Sequence, residues 1–203
     1  MSTAITPAAF AQTGVQPSTT PAAAAHNQPE SGQAPYSDAD IRFFTGMISH
    51  HSQAVLMAGW APSHGASASL QGLCERIVVA QRDEIAVMQR WLRERHLPVP
   101  DPDPRGMAMP GMAPMLMPGM LTPEQMAQLD AARGVQFDRL FLQFMIQHHL
   151  GAISMVETLL GSTGAAQDGL VFRFASDVNA DQTTEIDRMR RMLAALPLSG
   201  GSQ

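Results

Sequence analysis

One eighteen-residue pattern occurs twice in this chain, and it limits the fold more than any other feature. Asp40 to Met57 reads DIRFFTGMISHHSQAVLM, and Asp138 to Met155 reads DRLFLQFMIQHHLGAISM. Asp, Phe, Met, Ile, two His, Ala and Met recur in register, eight identities in 18 positions at an offset of 98. Self-similarity of this kind implies two related structural units.

Adjacent residues on a helix point about 100° apart, so the two His of each copy fall on separate stripes. His51 lies in the row Phe44, Ile48, His51, Val55, Ala58, and His149 in the row Leu142, Ile146, His149, Ile153, Val156. His50 lies in the row Phe43, Met47, His50, Ala54, Met57, and His148 in Phe141, Met145, His148, Ala152, Met155. Spacings of three and four mark core-facing rows. Each copy therefore presents two imidazoles and two thioethers on one broad apolar face. Met47 is within one turn of both His50 and His51.

Around the two copies the chain divides into four stretches. Residues 1–36 are rich in Ala, Pro, Thr, Gln and Ser, bury little apolar surface, and are expected to be disordered. Ala9-Phe10-Ala11 within them resembles a signal-peptidase site without the basic and apolar segments that should precede it. Residues 37–97 form a first helical hairpin, capped by Ser37, turned over Pro62 to Gly65, and stopped by Pro98. Residues 98–121 form a linker with six Met in the fourteen residues MAMPGMAPMLMPGM. Residues 122–197 form a second hairpin. It opens on Thr122-Pro123-Glu124-Gln125, has Gly134 as a kink or break in a helix running to about Leu160, and ends at Pro197. The last helix repeats the second: Gln81, Glu84, Ile85, Met88 and Leu92 match Gln182, Glu185, Ile186, Met189 and Leu193. The expected fold is all-α, an antiparallel four-helix bundle built from two repeated hairpins, with 37–197 a single domain.

Composition narrows the function. The net charge is -5 and the pI about 5.7, which argues against nucleic acid as a partner. No window reaches the ~20 apolar residues of a membrane span. The one cysteine, Cys74, allows no intrachain disulfide or Cys-based zinc site and reads as a buried filler. Trp60 and Trp91 read as packing anchors. Nothing resembles a nucleophilic or phosphate-binding motif, so the reading is non-enzymatic.

Three readings compete for the His pairs. In the first they are structural and hydrogen-bonded to Gln and Glu of the neighbouring helix. In the second they ligate metal. Imidazole suits several transition metals, while thioether favours Cu(I). The ligands are then Met47, His50, His51, Met57 and Met88 with Met145, His148, His149, Met155 and Met189. Gln81, Glu84, Gln182 and Glu185 would orient the imidazoles, and linker Met107, Met109, Met112, Met115, Met117 and Met120 could add donors. In the third the bundle holds a di-iron or di-manganese redox centre, which requires Glu-x-x-His motifs that the repeated helices lack. The linker Met could instead grip an apolar protein partner. His26, His64 and His96 read as surface residues.

The pattern D-x-x-F-x-x-x-M-I-x-H-H-x-x-A, then M, then Q-x-x-E-I-x-x-M on the next helix, resembles the bacterial domain-of-unknown-function 305 family over about residues 38–196. The resemblance implies a ferritin-like helical bundle. It also implies copper as the bound ion, export to the periplasm or beyond, a role in copper tolerance by sequestering Cu(I) or Cu(II) or passing it to an exchange partner, and the ten His and Met above as ligands.

Overall fold

The computed structural model describes residues 1, 35–105 and 115–197. Most of the expected N-terminal tail, including Ala9 to Ala11 and His26, lies outside the described residues, as do linker Met107, Met109 and Met112. Every regular element among the described residues is a helix: α1 Asp38–Gly59, α2 Ala68–Glu94, α3 Pro123–Ala131, α4 Gly134–Leu160 and α5 Gly169–Ala195.

Side-chain oxygens start four of the five. Ser37 accepts from Asp40 N while Asp40 accepts from Ser37 N, a reciprocal cap for α1. Thr122 and Gln125 do the same for α3, with Pro123 in the first turn. Ser67 caps α2 and Asp168 caps α5. The helix expected to run from Thr122 to Leu160 breaks in two. Ala132 and Arg133 leave helical geometry with ψ 151° and 154°. Gly134 restarts it at φ +57°, a conformation glycine tolerates, and its N–H donates to His64 O at 2.9 Å.

The helix α1 packs along α2, α4 along α5, and α1 against α4. The repeated aspartates tie the halves together reciprocally. Asp40 Oδ1 accepts from Ala166 N, in the turn before α5, at 2.8 Å. Asp138 accepts from Ser67 N, at the cap of α2, at 3.2 and 3.3 Å. Both carboxylates are buried. Each half's acid thus fixes the other half's turn.

Two apolar clusters fill the interior. In one, Trp91 stands edge-on to Phe44, 4.9 Å between centroids, and to Tyr36 at 5.4 Å. Its indole N–H donates to Asp168, which also pairs with Arg95. The other cluster holds Cys74, whose thiol is pushed up to about 12 by burial and then by the Asp138 charge.

Candidate metal centre

The rows of α1 and α4 carry all four repeated imidazoles into the interior, where none is exposed. His50 and His148 meet across the α1–α4 contact with ring centroids 3.7 Å apart and planes tilted by 38°. His51 and His149 lie beside them, 6.2 and 6.3 Å from their chain neighbours' rings. His51 Nε2 stands 2.7 Å from Glu84 Oε2 on α2, although off-line for a hydrogen bond. His149 Nε2 donates to Glu185 Oε2 on α5 at 2.6 Å. Neighbours across the layer thus run Glu84, His51, His50, His148, His149, Glu185.

The central pair is held neutral. Burial pushes His50 well below the usual imidazole range, helped by the charge of nearby His51 and opposed by its bond to Pro118. Burial does the same to His148, followed by the charges of His50, His149 and His51. A neutral imidazole keeps one nitrogen lone pair. His50 donates its Nε2 hydrogen to Pro118 O at 3.0 Å, which leaves the lone pair on Nδ1. No hydrogen-bond partner among the described residues meets Nδ1 of His50, His51, His148 or His149, nor Nε2 of His148. The side-chain amide of Gln81 and Oε1 of Gln182 are also without partners. Buried polar atoms are nearly always satisfied, so this concentration of unpaired polar atoms is unusual. On the outer side, Asp181 is held above its ordinary value by partial burial and then by Glu84, Asp177 and Glu185.

The sulfurs sort into two sets. Met47, Met88 and Met155 share one apolar cluster, and Met57, Met145 and Met189 share the other. The sequence repeat maps 47 onto 145, 88 onto 189 and 57 onto 155. Each set therefore takes two sulfurs from one half and the third from the other. Five of the six are fully buried, and Met155 is 8 % exposed.

The end of the linker crosses this site as a strap, residues 117–121. Besides Pro118 O on His50, Gly119 O accepts from Gln147 Nε2. Leu121 N donates to Gln53 Oε1 at 2.6 Å, and Gln53 Nε2 donates back to Leu121 O. The strap lies so close to α4 that a Cβ on Gly151 would stand 1.9 Å from Pro118 O. Gly119, at φ +77°, has no more room: a Cβ there would meet Gln147 O at 2.6 Å. Only glycines permit this approach.

Of the sequence-predicted residues, the four His stand in one layer, Glu84 and Glu185 face two of them, and the six helix Met divide between the two apolar clusters. Gln81 and Gln182 are buried without touching an imidazole through a hydrogen bond. In the linker, Met115 is exposed, Met117 half-buried and Met120 buried, its sulfur accepting from Met117 N at 3.3 Å. Sequence reasoning missed the strap, and Gly151, a glycine inside a helix one turn from His148, was its available signal. It also misplaced His64. That ring is buried, bonded to Ser63 Oγ and to Asp130, and stacked on Trp60. It joins the α1–α2 turn to the end of α3. His96 is exposed, as expected.

Among the described residues, no three His, Cys, Asp or Glu side chains form a ligand group for a metal ion, and no helix is long and apolar enough to cross a membrane. The chain resembles a candidate secreted DUF305 protein of Streptomyces coelicolor at 29% identity, with a TM-score of 0.66 over 81% of this chain and 98% of that one. It is also similar to CopM in its Cu(I)-bound form, at 26% identity and a TM-score of 0.58, over 76% of this chain and 95% of that one. A stretch of 58 residues is 34% identical to an uncharacterized protein of Acanthamoeba polyphaga mimivirus, spanning 29% of this chain and 38% of that protein. The model of the domain of unknown function DUF305 matches residues 40–193, and the chain belongs to that family.

Proposed function

We propose that this is an exported copper-binding protein, periplasmic or extracellular, that sequesters Cu(I) or Cu(II) or hands it to an exchange partner and so supports copper tolerance. In this reading the four long helices form an antiparallel, ferritin-like bundle of two repeated hairpins. His50, His51, His148 and His149 supply nitrogen, and Met47, Met57, Met88, Met145, Met155 and Met189 supply sulfur. Glu84 and Glu185 hold the outer imidazoles.

The observation that carries the reading is the set of buried imidazole nitrogens with no partner. An unpaired buried acceptor costs about 1–3 kcal/mol, and a soft cation would relieve several at once. The absence of a three-member His, Cys, Asp or Glu group among the described residues gives no support to a carboxylate-bridged redox centre. Thioether donors supplied by the helix Met would select Cu(I). Thioethers carry no proton to displace, and the depressed basicity of His50 and His148 keeps them free to bind in mildly acidic surroundings. The CopM structures, one with Cu(I) and one with Cu(II), support the choice of ion.

The test is an anaerobic titration of the purified chain with Cu(I) against a chromogenic chelator. The chain should compete for the ion. The variant with His50, His51, His148 and His149 all changed to Ala should bind about 100-fold more weakly or worse. A wild-type chain that fails to compete, or a folded variant that binds unchanged, overturns the reading.

A further inference from the structure

The four imidazoles are buried, so an ion that binds them needs a way in. The strap covers the layer from the α1–α4 side. Pro118 O is bonded to His50, and Met117 takes the space left at Gly46, whose equivalent in the repeat is Phe144. A Cβ on Gly46 would lie 2.9 Å from Met117 Sδ. The side toward α2 and α5 differs. The side chains of Glu84 and Glu185 are 21% and 24% exposed, yet each sets an oxygen 2.7 or 2.6 Å from Nε2 of a fully buried ring, His51 or His149. These two side chains reach both water and the layer.

On α5 the carboxylates continue outward. Asp177, Asp181 and Glu185 are spaced by four residues and so share one face of the helix. Asp177 and Asp181 are exposed. Partial burial holds Asp181 above its ordinary value, followed by the charges of Glu84, Asp177 and Glu185, all negative. The repeat does not carry this row: at the offset of 101 the α2 residues are Arg76, Ala80 and Glu84. At the inner end, Gln81 and Gln182 stand one turn before Glu84 and Glu185 and are buried. The Gln81 amide, Gln182 Oε1 and Nδ1 of His51 and His149 have no partner among the described residues. Nor do three acidic or imidazole side chains there close on one point, so the row can pass a cation on without retaining it.

Resting on the copper reading above, we infer that the row Asp177, Asp181 and Glu185 is the entry port for the cation, which passes from it to His149 and so reaches the layer from the α5 side. Glu84 adds to the field at the mouth. Arg76 and Ala80 leave the α2 row without the outer carboxylates, so the two halves bind alike but load through one of them. Charge of one sign along a cleft raises the local concentration of counter-ions and speeds their association about tenfold or more, an effect that salt screens. Asp177 and Asp181 are steering residues and not ligands.

The experiment mixes the full metal-free chain with Cu(I), supplied as its weakly held cationic acetonitrile complex, in an anaerobic stopped-flow instrument. Ultraviolet charge-transfer absorption follows loading, and the chelator titration above gives the affinity. The double variant Asp177→Asn, Asp181→Asn is isosteric and lies at exposed positions. It should lower the association rate about tenfold at low salt and flatten its salt dependence, while the dissociation constant moves by less than about threefold. Glu75→Gln with Glu157→Gln removes the same charge from exposed positions on α2 and α4 outside the row. That pair should leave the rate within about twofold of wild type. An unchanged rate in the aspartate variant, or an equal fall in the glutamate variant, overturns the inference while leaving the copper reading standing. A loss of affinity at an unchanged rate also overturns it, since the aspartates would then hold the ion. No binding by the wild-type chain overturns both.

Discussion

The two halves keep the same donors and differ in what surrounds them. Asp, Met, both His and the second Met recur in α1 and α4, and the buried layer they form is close to symmetric. The supports are not. Asp40 sits in a capping box and accepts from Ser37 N, Ser37 Oγ and Ala166 N, whereas Asp138 lies a turn inside α4 and, among the described residues, accepts from Ser67 N alone. Trp91 near the end of α2 is a buried anchor, while its repeat equivalent in α5 is Met192, which packs only part-buried. Gly46 receives the strap where Phe144 fills its own space. The lesson is physical. Apolar volume can be filled in many ways at similar cost, but a nitrogen or sulfur donor has no substitute of equal chemistry.

Acid should have the largest effect, because it strikes the symmetric part. The basicity of His50 and His148 is depressed by burial in the folded state, so the unfolded chain binds more protons once the pH drops to the ordinary imidazole value. Their contribution is complete above about pH 6.5 and declines as the pH falls below it toward their folded values. With two rings 3.7 Å apart, the slope should approach two protons, about 2.7 kcal/mol per pH unit. Urea unfolding of the metal-free chain at pH 7.5, 6.5 and 5.5 measures it. A His50→Gln, His148→Gln variant should flatten the profile; an equally steep one would mean other groups set it.

The asymmetric supports should give smaller, unequal losses. Asp40→Ala removes a helix cap and a buried bond to the opposite turn and should cost about 3 kcal/mol. Asp138→Ala removes only the latter and should cost about 1–2 kcal/mol. Equal losses in urea would erase the distinction between the two ends. Gly151→Ala should cost a further distinct amount, about 1–2 kcal/mol. Overpacking against Pro118 opposes the gain in helix propensity, and the strap should lift from His50. Proteolysis within residues 115–121 should quicken if it does.

Much of this was legible in the sequence because periodicity and repeats are local. The long helices and the inward-facing His rows follow from residues spaced by three and four, and the caps at Ser37 and Thr122 from local turn chemistry, whereas the Asp168 cap of α5 was not foreseen. The Glu84 and Glu185 contacts followed too, from the matched second and last helices. What remained hidden depends on how the halves meet. The direct approach of His50 to His148 and the exchange of one sulfur between halves are long-range facts with no local signature. The strap is hidden for a different reason, since Pro118 and Gly119 look like any turn until Gly151 is seen to leave room for them. His64 was misread because an isolated His gives no sign that Asp130, in the short helix before α4, will reach it.

The smallest expected effect separates a glycine that seats the strap from one that merely sits in a helix. Gly72 lies inside α2, and a Cβ there would meet nothing nearer than Arg76 Nη1 at 4.0 Å, the end of a flexible chain. Gly72→Ala should therefore stabilise the protein by up to about 1 kcal/mol, through lower backbone entropy in the unfolded state and better helix propensity. Gly151→Ala receives the same helical gain yet should come out destabilising, so the difference between the two variants isolates the contact with Pro118. Thermal unfolding of both, followed by helical circular dichroism, reads that difference. Two melting temperatures that rise together would show that residues 117–121 do not press on α4, and the positioning of Met117 beside Gly46 would lose its support with them.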